Sequence, residues 1–201
     1  MVTDWRSPLR STTRCREWRS VDPVLEAPGQ FAADLVPRRR AARFHCFAER
    51  QIQALLRLLN DSDVRYLIIG ATAFAAHGWV RATADVDLFV DDDESNIDRL
   101  RTVLTSFGYD ITDATPHDFR RYKILLRQYD LPLDIHPFVE GAPDFEDCWH
   151  RRVIADVGGV DASFASLDDL IDMKRAADRP KDREGLRQLE RLRQLRDRSS
   201  E

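Results

Sequence analysis

The sequence predicts a mixed α+β fold, a small mixed sheet flanked by helices, and three observations carry that prediction. Short apolar, β-branched runs occur at VRYLII (64–69) and VDLFV (86–90), bounded by Gly and Asp. Segments of helical period lie between and around them. Further strand-like runs then follow one another before a closing helical region, so the order is helix, strand, helix, strand, helix, strands, helices.

Each element has its own signal. Phe47, Ile52, Leu55, Leu56 and Leu59 recur at helical spacing, and Asn60-Asp61-Ser62 closes that helix. Gly70 ends the first strand, and Thr72 to His77 reads as a small-residue helix stopped by Gly78. Val86, Leu88 and Val90 alternate with Asp87, Phe89 and Asp91 in the second strand. Ser95 to Phe107 carries Ile97, Leu100, Val103 and Leu104 and stops at Gly108. Tyr109 to Ile111 is expected to form a short strand. Residues 122–127 and 131–137 form an antiparallel pair around Tyr129-Asp130, and 153–164 a hairpin turning at Gly158-Gly159. Ser166 caps a helix over 167–177, and Arg183 to Arg196 is a last helix with Leu186, Leu189, Leu192 and Leu195 along one side, packing on this domain.

Composition narrows the function. The 201 residues carry a net charge of −4, which argues against a non-specific coat for nucleic acid. The three cysteines are far apart with no C-x-x-C spacing, as expected in a reducing cytoplasm. No apolar run approaches the ~18 residues of a membrane span, so no membrane partner is expected. Residues 1–43 hold four prolines and scattered arginines without a sustained period, and are expected to be a loosely ordered extension. Residues 44–201 are expected to form one domain.

The chemistry concentrates in LIIGATAFAAHGWVRATADVDLFVD (67–91). A strand turns at Gly70 into a helix N-terminus, a place suited to an anion. Asp85 and Asp87, two apart, project from one face of the next strand. Paired carboxylates call for a cation, and a hard divalent ion such as Mg²⁺ meets that need while also binding phosphates. Asp134, in the apolar run LPLDIHP, is a third acid suited to the same site. His77 is read as satisfying the last carbonyls before Gly78, His136 as packing within its strand, and Asp91 to Glu94 as acidic charge at a helix start.

The string Gly70-x-x-Ala73-x-x-x-His77-Gly78-x-x-Arg81-x-Thr83-x-Asp85-x-Asp87 resembles the signature of the DNA polymerase beta-like nucleotidyltransferase superfamily. Within it, the sequence is most similar to bacterial AbiEii-type proteins of the abortive-infection and toxin–antitoxin group. The segment from Leu167 to Asp182 resembles that group's Lys-x-x-Ala-x-x-Arg-x-x-Asp helix and turn.

The resemblance implies a nucleotidyltransferase fold and transfer of NMP from an NTP. It implies that Asp85, Asp87 and Asp134 hold two Mg²⁺ ions, with Asp134 helping to deprotonate the acceptor hydroxyl. Gly70, Ala71 and Thr72 would hold phosphate oxygens, Arg81 and Thr83 would orient the loop or touch the nucleotide, and Lys174 and Asp182 would be site residues, Lys174 facing the triphosphate. The acceptor would be a tRNA end, a protein side chain or a small-molecule hydroxyl. A cognate toxin or antitoxin protein would be a further partner. One departure stands out: the superfamily usually has Gly-Ser or Gly-Gly where this chain has Gly70-Ala71. A fold that keeps binding but has lost turnover is the alternative this raises.

Overall fold

A computed structural model describes residues 46–80, 83, 85–127 and 131–199. The expected extension over 1–43 lies outside the described residues, as do Arg81 and the Tyr129-Asp130 tip of the first strand pair.

Helix α1 (Cys46–Asp61) buries Ile52, Leu55, Leu56 and Leu59. It is fixed at its end by Asn60, whose side-chain amide donates to the Asp161 carbonyl at 2.7 Å and whose Oδ1 accepts from the Tyr66 hydroxyl at 3.0 Å. Strand β1 (Tyr66–Ile69) is buried on both faces, which is why it reads as continuous apolar sequence. The following Thr72–His77 segment is a 3₁₀ helix, tighter than the α-helix its small residues suggest, and Gly78 closes it in the left-handed region at φ 95°. His77 Nε2 lies 2.9 Å from the Ala165 carbonyl, so its ring ties the turn to the segment beside β1 and not, as expected, to the last carbonyls of its own helix.

Strand β2 (Val86–Val90) leads into α2 (Glu94–Phe107), whose N-cap is Asp93, accepting from the Ser95 and Asn96 amides. The acidic run at 91–94 is thus a helix start. Asn96, wholly buried, accepts from the Arg65 amide at 2.8 Å and donates to the Asp91 and Arg65 carbonyls. Residues 109–111 are not a strand. The Tyr109 amide returns to the Leu104 carbonyl as part of the helix stop, and its hydroxyl donates to the Leu131 carbonyl at 2.6 Å.

Two short helices complete the chain beyond those expected. Helix α3 (Pro116–Arg121) starts in a capping box between Thr115 and Asp118, and α4 (Phe145–His150) is capped by Asp144. Strands β3 (Ile124–Leu126), β4 (Leu133–His136), β5 (Val153–Asp156) and β6 (Asp161–Phe164) join the sheet. Helices α5 (Leu167–Ala177) and α6 (Arg183–Arg198) pack on one another, with Leu189 fully buried and a 3₁₀ turn, Pro180–Asp182, between them.

The sheet order is β3-β4-β2-β1-β6-β5. β2 runs antiparallel to β1 and parallel to β4, β3 runs antiparallel to β4, and β6 is parallel to β1. The fold is therefore a mixed six-stranded sheet with helices, as the sequence predicts. The parallel β2–β4 pairing is what builds the site: its register sets Asp87 beside Asp134.

Candidate active site

The site grows from the point where β1 ends. Ile69 pairs with Asp87, so Gly70 lies beside the first residues of β2. Gly70 adopts φ 65°, which turns the chain at once and leaves no Cβ against the Asp87 carboxylate. On the other side of β2, Asp134 stands in register with Asp87 and is 3% exposed. Two like charges on adjacent strands are costly unless cations lie between or around them.

The partners that answer this are the histidine His136 and the cations Lys123 and Arg127. His136 Nε2 lies 2.9 Å from Asp87 Oδ1. Lys123 Nζ lies 2.6 Å from Asp134 Oδ2 and 4.0 Å from Asp87 Oδ1, and Arg127 Nη2 lies 2.5 Å from Asp134 Oδ1. Burial pushes the Asp134 carboxyl up, but the hydrogen bonds from Lys123 and Arg127 outweigh it and hold the group below the ordinary carboxylate range. Lys123 and Arg127 reach Asp134 because they flank β3, alternating with Leu125, the residue that pairs with Asp134.

Asp85 precedes β2 and is set by threonines. Thr83 Oγ1 donates to Asp85 Oδ1 at 2.9 Å, and the buried Thr72 hydroxyl donates to the Asp85 carbonyl at 3.1 Å. The Thr72 hydroxyl thus holds the backbone that carries Asp85.

The opposing wall is α5 and the turn after it. Lys174 Nζ is 2.5 Å from Asp182 Oδ1, and Arg179 Nε is 2.6 Å from Asp182 Oδ2. Burial raises the Asp182 carboxyl, and the two cations more than offset it, so the group is held below its usual range. Between the walls lies a cavity of about 490 Å³. Of the residues the sequence singled out, Gly70, Ala71, Thr83, Asp85, Asp87, Asp134, Lys174 and Asp182 line this one cavity. Arg81 falls outside the described residues.

One ligand atom each from Asp87, Asp134 and His136 falls within 4.8 Å of the others, a spacing a single metal ion can bridge. Asp85 faces the same cavity outside that group. His136, expected to pack within its strand, belongs to the site. Lys123, Arg127 and Arg179 were also missed by sequence reasoning. The signal for the first two was present in the alternation Lys123-x-Leu125-x-Arg127, but its meaning depends on the β3–β4 register.

No curated protein matches the chain. Among solved structures it resembles ANT(2″)-Ia in complex with adenylyl-2″-tobramycin, at 20% identity and a TM-score of 0.49, over 75% of this chain and 98% of that one. It also resembles an antigenic nucleotidyltransferase-like protein from Paracoccidioides brasiliensis, at 17% identity and a TM-score of 0.46, over 74% and 76% of the two chains. A family described as nucleotidyltransferases of unknown function (DUF6036) matches residues 49–195, nearly the whole of the described domain, and the chain belongs to that family.

Proposed function

We propose that this protein transfers a nucleoside monophosphate from an NTP to an acceptor hydroxyl. The observation that carries the reading is the registered pair Asp87–Asp134, with His136 beside it, across a cavity from Lys174. The donor set fits a divalent ion: carboxylate oxygens are hard ligands, and three of them suit a two-ion site. Asp85, Asp87 and Asp134 would hold Mg²⁺, which when bound activates the attacking oxygen and neutralises charge on the phosphates.

The chain's own residues supply the rest. Lys174 presents a cation where charge builds on the leaving pyrophosphate, and Asp182 and the Phe74 ring, 5.8 Å from its ammonium, hold it in place. Gly70 and Ala71 bring bare backbone to the cavity, allowing close approach of phosphate oxygens. Thr83 aims Asp85, and His136 aims Asp87. The acceptor is a tRNA end, a protein side chain or a small-molecule hydroxyl. The likeness of Gly70–Asp87 and Lys174–Asp182 to AbiEii-type proteins supports a toxin–antitoxin setting with a cognate protein partner.

The test is transfer of label from α-labelled NTPs, in Mg²⁺ or Mn²⁺, to total tRNA, to protein and to small polyols. Label should move with wild type and fail with Asp87→Ala. A specific pair of observations favours the second reading, binding without turnover: Ala71 stands where the superfamily usually has Ser or Gly, and Lys123 and Arg127 already engage Asp134. NTP binding with no transfer to any acceptor would favour it.

A further inference from the structure

The site face of β4 continues past the strand. Asp134, His136 and Phe138 alternate, and all three line the cavity, but Phe138 is 65% exposed and has no ring contact among the described residues. The next residues make a tight turn, with the Ala142 amide returning to the Val139 carbonyl at 3.1 Å and Gly141 at φ 79°. This turn is pinned. A Cβ on Gly141 would stand 2.5 Å from both the Asp172 carbonyl oxygen and the Ala176 methyl, so only glycine lets the loop seat on α5. Phe138 is thereby a largely exposed aromatic ring lining the cavity, beside a turn that Gly141 seats on α5.

The wall that seats this turn also carries Lys174. Between them Leu170, Met173 and Val139 give an apolar surface, whereas the opposite side, flanking β3, is lined by the cation Lys123. Glu140, exposed and without an ion pair or hydrogen bond among the described residues, follows Phe138 at the rim. Lys174 and Phe138 line one cavity with Leu170 and Met173 of α5, so an NTP with its phosphates at Lys174 could lay its nucleoside toward Phe138. An open aromatic face is suited to a base, and a free carboxylate is suited to a base's amino group.

We propose that Phe138 is the stacking platform for the nucleobase and that Glu140 accepts a hydrogen bond from its exocyclic amino group. The site then prefers ATP, GTP or CTP, which carry that amino group, over UTP, which does not. This assignment rests on the nucleotidyltransferase reading and deepens it.

The experiment is direct binding of ATP, UTP and inorganic triphosphate to the full chain in Mn²⁺, so that no acceptor is needed. Phe138→Ala should weaken ATP about tenfold while leaving triphosphate unchanged. Phe138→Trp should restore ATP binding, with quenching of its fluorescence by the stacked base. Glu140→Ala should bring ATP down to the affinity of UTP. Wild-type affinity of Phe138→Ala for ATP overturns the platform alone, and so does an equal loss for ATP and triphosphate. A wild-type protein that binds neither ATP nor triphosphate overturns this inference and the transferase reading together.

Discussion

Gly70 and Asp87 share one volume: a Cβ at position 70 would overlap Asp87 Oδ2 and stand 3.0 Å from its Cγ. The turn and the carboxylate are therefore linked, and Asp87 keeps its place only while position 70 carries no side chain. Gly70→Ala meets two penalties, a left-handed φ that alanine resists and a collision with a site residue. It should lose about 2 kcal/mol of stability by urea unfolding. Label transfer should fall further than this loss explains, because Asp87 must move.

His136 holds Asp87 through a single 2.9 Å contact. Groups that orient a ligand typically matter by about 10- to 100-fold in metal affinity. His136→Ala should weaken Mn²⁺ by that amount in a calorimetric titration. Unchanged affinity would remove the histidine from the site.

Lys123 competes with any divalent ion for Asp134 Oδ2. Its replacement by an uncharged residue takes away one repelling charge beside the ion. Lys123→Gln should therefore bind Mn²⁺ roughly tenfold more tightly, about 1.4 kcal/mol, a modest part of the Coulomb energy of so close a pair. Titration at two salt concentrations checks it.

Asp182 provides a pH signature. Its folded carboxyl is held below the ordinary 3.8 by Lys174 and Arg179 after burial has pushed the other way. A depressed folded value stabilises the protein above the unfolded value, and that contribution is lost as pH falls through the folded one. Asp182→Asn should cost about 2 kcal/mol at neutral pH, since it leaves the half-buried Lys174 ammonium without its carboxylate. The gap between variant and wild type should close below pH 3.8, as thermal melts across pH would show.

Much of this was legible in the sequence, for physical reasons that can be named. Helices α1, α2, α5 and α6 announce themselves through leucines at helical spacing, and α5 also through its cap Ser166, although on α6 only Leu189 is buried and Leu195 is exposed. Helices α3 and α4 escaped because six residues are too few to show a period, although Thr115 to Asp118 and Asp144 to Asp147 carry cap spacing. Tyr109 has a strand-former's side chain, yet its amide is already taken by the stop of α2. In the site, Asp85, Asp87 and Asp134 stood out as acids in apolar runs. Lys123, Arg127 and His136 did not, because basic residues at strand ends are unremarkable until the register with Asp134 and Asp87 is known.

That register bears on how the chain acquires its site. His136 and Asp87 are 49 positions apart, with α2, α3 and β3 between them, and they meet only when β2 and β4 pair in parallel. Such long-range pairing is among the slower events of folding. A chain with its helices formed but this pairing unmade has no ion site, so a divalent ion held by Asp87 and Asp134 would bind the finished molecule alone. The ion should slow unfolding and leave the refolding rate where it was, acting as a latch on the native state and never as its nucleus.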